Sequence, residues 1–219
     1  MKPKVFVTRE LPKIALDRLS AECEMELNQE DWVLTKQEII AGVKGKEGLL
    51  CLLTDTINAE IMDAAAGGLK IIANYAVGYN NIDVPAATQR KIPVTNTPGV
   101  LTETTADLAW ALLMSVARRV VESDKFLRAG KFHGWAPLMF LGNDIYGKTL
   151  GIIGFGRIGA AMARRARGFG MRVISYDRTP SAKVNEFGVE FVDLDGLLKE
   201  ADFISVHVPL TPENQHLIS

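Results

Sequence analysis

Three glycines lie at the spacing Gly-x-Gly-x-x-Gly, directly after an apolar run that is typical of a buried strand. Gly154 suits a tight turn, Gly156 lets the backbone come close to a phosphate group, and Gly159 lets a following helix pack against the strand. The unpaired N–H groups at the start of such a helix, together with its dipole, favour a pyrophosphate. The pattern predicts a dinucleotide-binding turn; the alternative is that the glycines only make a turn.

An acidic residue follows the glycines at about the spacing expected for a group that binds the adenine ribose. Asp177 ends a second apolar run, residues 172–176, and its carboxylate can accept hydrogen bonds from the 2′ and 3′ hydroxyls. The same charge repels a 2′-phosphate, so NAD is favoured over NADP. Arg178 and Thr179 leave NADP open, because a guanidinium and a hydroxyl can hold a phosphate.

Short apolar runs alternate with amphipathic stretches in the first hundred residues, which is typical of a parallel sheet covered by helices. Asn96-Thr97-Pro98-Gly99 favours a turn. We therefore expect one domain of residues 1–98 and a second of residues 99–219. The strands predicted in the first are residues 4–8, 48–53, 70–73 and 92–94, with helices beginning near residues 12 and 59.

The second expected domain begins with the longest helical pattern of the chain, residues 102–121, which carries a row of leucines on one face. The alternation of strand and helix then restarts, with the glycine turn between its first strand and helix. Strands are predicted at residues 149–153, 172–176, 189–192 and 203–208, and helices at residues 157–168 and from residue 194.

The composition excludes several classes of protein. The 219 residues are 47% hydrophobic and carry 25 Lys+Arg against 26 Asp+Glu, which gives no attraction for nucleic acid or an anionic membrane. No apolar stretch is long enough to span a bilayer, and the N-terminus does not read as a signal peptide, so we expect a cytoplasmic protein. Cys23 and Cys51 lack metal-binding spacing and are expected to be core thiols, and no metal is predicted.

Several motifs in order resemble the D-isomer-specific 2-hydroxyacid dehydrogenases, and within them the glyoxylate and hydroxypyruvate reductase branch. Residues 74–83 resemble the family's Val-Gly-Tyr-Asp-Asn-Ile-Asp loop, with Asn80 where Asp is usual, and residues 92–99 resemble its inter-domain crossing. The motifs at residues 102–109, 134–137 and 147–151 are similar to this branch in particular. The resemblance covers nearly the whole chain.

The resemblance implies two doubly wound α/β domains, a flavodoxin-like N-terminal one and a partial Rossmann one, with the active site between them. It implies hydride transfer between a nicotinamide cofactor and a small 2-oxo or 2-hydroxy acid, such as glyoxylate or hydroxypyruvate. Val77 and Gly78 would offer N–H groups to the substrate carboxylate, and Leu53 would line the same pocket. Further cofactor contacts implied by the resemblance are Thr105, Arg157, Ile158, His207, Val208, Pro209 and Thr211. A homodimer is also implied, with apolar residues 108–116 and 135–141 as its surface.

The sequence departs from the family in its catalytic groups. The family's catalytic Arg, Glu and His have no counterpart here, and none of His133, His207 and His216 stands in the family's catalytic context. Reduction of a 2-oxo acid needs a proton donor and a cation beside the carbonyl. The 219 residues alone are therefore expected to be inactive, as part of a longer enzyme or as a natural truncation. The alternative is a regulatory or scaffold protein that senses a dinucleotide; a methyltransferase-like Rossmann protein fits the spacing less well.

Overall fold

The computed structural model describes residues 1–178 and 188–218 of the chain. They form two compact units, one of Met1–Gly99 together with Leu210–Ser219, and one of Val100–Pro209. Within the first unit lies a five-stranded sheet, and within the second a four-stranded sheet, both with parallel neighbours. The predicted α/β class is confirmed.

The first sheet has the strand order β2-β1-β3-β4-β5, which is the flavodoxin-like order of doubly wound proteins. Its helices cover both faces because each βα crossover returns the chain over the sheet. The elements of the first unit are β1 (Lys4–Val7), α1 (Lys13–Glu22), β2 (Glu24–Leu27), α2 (Lys36–Val43), β3 (Gly48–Cys51), α3 (Ala59–Ala64), β4 (Ile71–Asn74), α4 (Val84–Gln89), β5 (Val94–Thr95) and a 3₁₀ turn (Pro212–Asn214).

Alternating side chains of β1 enter two separate cores, as strand geometry requires. Phe6 joins the core beneath α2, α3 and α4, which includes Ile39 and Ile72. Val5 and Val7 join a smaller core beneath α1. The sheet is therefore buried from both sides along β1, and its loops at the carboxyl ends of the strands are held on a rigid base.

The second sheet has the strand order β8-β7-β6-β9, the arrangement of the first four strands of a Rossmann sheet. Helix α7 packs on one face, and α8 approaches the other so closely that a Cβ on Gly151 would meet Leu197 at 2.8 Å. The elements of the second unit are α5 (Thr102–Ala117), α6 (Val120–Arg128), β6 (Thr149–Ile153), α7 (Arg157–Gly168), β7 (Arg172–Tyr176), β8 (Glu190–Phe191), α8 (Leu194–Glu200) and β9 (Phe203–Val206).

The long predicted helix of residues 102–121 is two helices in the structure. Arg119 adopts a left-handed conformation, φ 54°, between α5 and α6. At this break the carbonyl of Ala117 accepts a hydrogen bond from the Asn143 N–H, so a later loop takes the place of the next helical donor. A left-handed residue cannot continue a right-handed helix, which explains the difference.

The last residues of the chain also differ from expectation. Residues 210–218 group with the first unit, whereas the sequence suggested that they continue the second. Pro209 has no N–H to donate to a neighbouring strand, which favours an end to the sheet before it. Within the part of the chain that the structure describes, no helix is long and apolar enough to cross a membrane.

Candidate active site

The predicted glycine turn joins β6 to α7. Gly154 has φ +94°, and a Cβ there would lie 2.7 Å from Val208 Cγ1 and 2.9 Å from the His207 carbonyl. Gly159 lies inside α7, and a Cβ there would collide with the Gly154 carbonyl oxygen. Both positions accept glycine only, because the turn is left-handed and the helix packs directly on it.

Gly156 differs from its two partners because no atom of the described residues lies within 4 Å of the Cβ it lacks. It is the exposed residue that caps the start of α7. Within the described residues, the N–H groups of Gly156, Arg157 and Ile158 make no hydrogen bond. Open space above three unpaired N–H groups at a helix start fits an anionic group such as a pyrophosphate.

Asp177 lies beside this turn, at the end of β7. Its Oδ2 accepts a hydrogen bond from the N–H of Phe155 at 2.9 Å, so the carboxylate helps to hold the turn as well as standing where a ribose is expected. The side chain is half-buried, and Arg178 next to it is exposed. Thr179, the third residue predicted here, lies outside the described residues.

The other residues predicted to contact the cofactor are divided between the two units. Thr105 is half-buried in the first turn of α5. His207 donates its N–H to the Ile153 carbonyl at 2.7 Å, which places it and Val208 against Gly154. Pro209 ends the second unit, whereas Thr211 belongs to the first, where its N–H donates to Asn214 Oδ1 at 2.7 Å. Thr211 is thus the one residue of this set outside the unit that carries the turn.

Burial determines the charge of His207. Its ring Nε2 lies 2.8 Å from Ser205 Oγ, and desolvation lowers the pKa of the imidazole. The ring is therefore neutral at pH 7. A neutral histidine bonded to a serine has a structural explanation, and nothing in this geometry makes it a proton donor to a substrate.

In the first unit, the loop after β4 turns consecutive N–H groups outward. The carbonyls of Ala76, Val77 and Gly78 accept hydrogen bonds at 2.8–2.9 Å. In a trans peptide the N–H points away from its carbonyl. The N–H groups of Val77, Gly78 and Tyr79 therefore point away from these donors, and none has a partner among the described residues.

The donors that hold these carbonyls are two side-chain amides and one backbone N–H. Asn74 donates to the Gly78 carbonyl, Asn96 to the Val77 carbonyl, and the N–H of Thr97 to the Ala76 carbonyl. Neither Asn74 nor Asn96 was predicted from the sequence. The one available signal was that Asn74 is a polar residue at the end of an apolar strand, and the structure shows that it is only 2% exposed.

A third asparagine, Asn81, connects this loop to the neighbouring loop. Asn81 donates to the carbonyls of Leu52 and Asp55, both at 3.0 Å, and contacts the Asn74 amide. The side-chain amide of Asn81, which is half-buried, thereby joins the loop after β3 to the loop after β4. Leu53, predicted to line a substrate pocket, projects from the first of these loops and is 65% exposed.

Neither a metal site nor a reactive thiol is found among the described residues. No group of three or more His, Cys, Asp or Glu residues among them could bind a metal ion. Cys51 is fully buried, and burial, followed by the nearby charge of Asp55, raises the pKa of its thiol to about 12. Both cysteines are free thiols, but only Cys51 is a core thiol as expected, since Cys23 is half-buried at the edge of the smaller core. Cys51 is too protonated to act as a nucleophile.

A doubly wound fold with a glycine turn and an acid at the next strand end defines a dinucleotide-binding protein of the dehydrogenase kind. Residues 110–219 match the family described as D-isomer specific 2-hydroxyacid dehydrogenase, NAD binding domain. The chain belongs to this family, and its second unit is an NAD-binding domain.

Similar proteins agree with this assignment. The chain is 56% identical to a glyoxylate reductase of Korarchaeum cryptofilum over 220 residues, which cover 100% of the chain and 66% of that protein. The TT0316 protein of Thermus thermophilus, known from a crystal structure, is 50% identical in sequence to this chain. The two structures match with a TM-score of 0.91 over 98% of this chain and 67% of that one. A D-lactate dehydrogenase of Aquifex aeolicus, complexed with NAD and lactic acid, is 26% identical with a TM-score of 0.81, over 98% and 63% of the two chains. The chain thus spans about two thirds of the length of these proteins.

Proposed function

We propose that these residues form the nucleotide-binding and carboxylate-binding parts of a reductase that acts on glyoxylate, hydroxypyruvate or a similar small 2-oxo acid. The observation that carries the proposal is the turn at Gly156: within residues 1–178 and 188–218 it is open, three N–H groups at the start of α7 have no partner, and Asp177 lies beside it. The similarity to glyoxylate reductases supports the choice of substrate class.

The nucleotide fits the second unit in a definite way. The N–H groups at the start of α7 bind the pyrophosphate, and the carboxylate of Asp177 binds the ribose hydroxyls, which favours NADH over NADPH. When bound, NADH supplies the hydride. Thr105 on α5 and Arg157 and Ile158 on α7 lie on the two helices that we propose to contact the phosphates. The contacts predicted for His207, Val208, Pro209 and Thr211 with the nucleotide remain predictions.

The substrate carboxylate fits the first unit. The outward N–H groups of Val77 and Gly78 donate hydrogen bonds to the carboxylate oxygens, and Leu53 provides apolar contact beside them. The amides of Asn74 and Asn96 keep those N–H groups oriented before the substrate arrives, so little ordering is left for the binding step.

The chemical step needs two groups beyond these. A proton must reach the new hydroxyl oxygen, and a cation must polarise the carbonyl. The family's Arg, Glu and His have no counterpart within residues 1–219, so we propose that these residues bind and orient the reactants but do not complete the reaction by themselves.

A homodimer is part of the proposal. Leu108, Leu112 and Val116 on α5 are 58–77% exposed, and Trp135 and Leu138 are 80–83% exposed. An apolar surface of this kind is more than a monomer normally presents to water. Sedimentation equilibrium of the protein and of Leu112→Glu tests the homodimer: the wild type is expected to be a dimer and the variant to dissociate.

A cytoplasmic location remains a prediction.

A chimera tests the function directly. Residues 1–219 replace the matching two thirds of the Korarchaeum cryptofilum relative, so that the remaining third comes from that protein. We expect NADH binding and steady reduction of glyoxylate or hydroxypyruvate. A folded chimera that binds NADH and reduces neither acid would instead favour the regulatory alternative.

A further inference from the structure

Arg9 is a cation that nothing described above uses. It follows β1 at the carboxyl edge of the first sheet, directly after Thr8. Thr8 is fixed on three sides: its N–H donates to the Leu50 carbonyl, its Oγ1 donates to Asp55 Oδ2 at 2.5 Å, and its carbonyl accepts from Asn28 Nδ2. The backbone that carries Arg9 is therefore rigidly placed.

Two of the three guanidinium nitrogens of Arg9 have no hydrogen-bond partner in the part of the chain that the structure describes. Its Nε and Nη2 are buried and make no hydrogen bond. The buried acid that Thr8 binds, Asp55, accepts from Thr8 Oγ1 and from the Leu52 N–H through the same Oδ2. Asp55 Oδ2 is thus committed to the loop after β3, and it makes no hydrogen bond with the buried nitrogens of Arg9.

Arg9 as a residue is half-buried, but its Nε and Nη2 have lost contact with water and gained no acceptor, which costs free energy. Such a group is stable in a fold when a ligand or water supplies the acceptor. Arginine in particular offers two parallel N–H donors that match a carboxylate.

The position of Arg9 relates it to the loop with the outward N–H groups. β1 is next to β3, and β3 is next to β4, so the ends of β1 and β4 are two strand spacings apart, about 10 Å. The bonds from Thr8 to Asp55 and from Asn81 to the Asp55 carbonyl join the two places through one loop. An arginine side chain and a small acid together span that distance.

We propose that Arg9 is a substrate-binding cation that pairs with the carboxylate of the 2-oxo acid, opposite the N–H groups of Val77 and Gly78. The assignment rests on the proposed function for the identity of the acid, but it concerns carboxylate binding alone. The first unit thereby holds the carboxylate from two sides, which selects carboxylic acids over neutral aldehydes and ketones.

Carboxylate binding to the 219-residue chain, without nucleotide, tests this inference. Glycolate is titrated at constant ionic strength while NMR follows the Nε–H signal of Arg9 and the backbone signals of Val77 and Gly78. We expect all three to shift with one dissociation constant. Arg9→Gln is expected to weaken binding roughly tenfold or more, and Arg9→Lys less, since lysine keeps the charge without the fork.

Arg18 provides the matched control, because it is an exposed arginine on α1 of the same unit. Arg18→Gln should leave glycolate binding unchanged. An Arg9 signal that ignores glycolate, equal affinity in wild type and Arg9→Gln, or the same shifts with chloride would overturn the assignment. If Arg9→Gln fails to fold, the wild-type Nε–H shift and Arg9→Lys decide the matter. The NADH assay of the chimera is independent, so failure of the reductase proposal is recognised separately.

Discussion

The side-chain amide of Asn96 donates a hydrogen bond to the Val77 carbonyl at 2.8 Å. The N–H of the same peptide belongs to Gly78, so this one bond fixes the direction of a donor that we assign to the substrate carboxylate. Asn96 touches no reacting atom in this account; it is a positioning residue for Gly78.

Replacing Asn96 by Ala in the chimera should therefore raise KM for glyoxylate roughly tenfold and change kcat much less, since carboxylate contacts act on the ground state and transition state alike. Steady-state kinetics measure the split. Asn58→Ala is the control, because it removes the side-chain cap of α3 and about 1 kcal/mol of stability without touching this loop. An equal rise of KM in both variants would mean that general destabilisation is responsible.

Two glycines of the turn should respond differently to replacement by Ala: Gly156→Ala should affect NADH binding, and Gly159→Ala should affect stability. Gly156→Ala has room for its methyl group in the protein, so it should keep its unfolding midpoint and lose NADH affinity at least roughly tenfold. Gly159→Ala should lose about 1–3 kcal/mol of stability, because its Cβ meets the Gly154 carbonyl. Gly168→Ala, at the far end of α7 with nothing within 4 Å, serves as control. Unchanged NADH affinity in Gly156→Ala would contradict the proposal that this turn binds the pyrophosphate.

Asp177 should set the preference for NADH over NADPH. Asp177→Asn is more informative than Asp177→Ala, because the amide oxygen can still accept from the Phe155 N–H while the charge is gone. We expect the ratio of the NADPH and NADH dissociation constants to be roughly tenfold or more smaller in Asp177→Asn than in the wild type, since a 2′-phosphate is no longer repelled. Fluorescence titration of both nucleotides gives the ratio, with Asp195→Asn on α8 as an exposed acid for comparison. Tighter binding of NADPH by the wild type would show that Arg178 and Thr179 dominate.

The free energy of unfolding should decrease at acidic pH because the His207 ring is protonated more readily in the unfolded chain. Burial lowers the pKa of its ring in the folded protein, so below about pH 6.5 the unfolded chain takes up a proton that the folded state resists. This contribution to stability is present above the ordinary histidine pKa and is lost as the pH falls from there towards the lowered one. Urea unfolding near pH 7.5 and pH 5.5 should show a larger loss in the wild type than in His207→Gln. An equal or smaller loss would contradict the burial argument.

The sequence predicted the glycine turn and the parallel sheets because these depend on local rules: glycine conformations and apolar periodicity. It missed β2, whose residues Glu24–Leu27 alternate charged and apolar side chains at the sheet edge. It also missed the break at Arg119, where the carbonyl of Ala117 is bonded by Asn143, a contact that no local pattern encodes.

The substrate side of the site was predictable only in part. Val77 and Gly78 were reached by resemblance, but Asn74, Asn81 and Asn96 act through contacts between separate loops that only the fold brings together. Arg9 was hidden for the same reason. Its sequence context is an ordinary strand end, and the lack of a partner for its Nε and Nη2 among the described residues is a property of the folded neighbourhood.

The central claim is tested most directly by following NADH absorbance with glyoxylate in the presence of the 219-residue chain and of the chimera, side by side. We expect steady oxidation by the chimera and none by the chain alone, because we propose that the chain binds both reactants without the proton donor and the carbonyl-polarising cation. Turnover by the purified chain that is abolished by replacing His207 or His216 would contradict it, since a catalytic residue would then lie within residues 1–219.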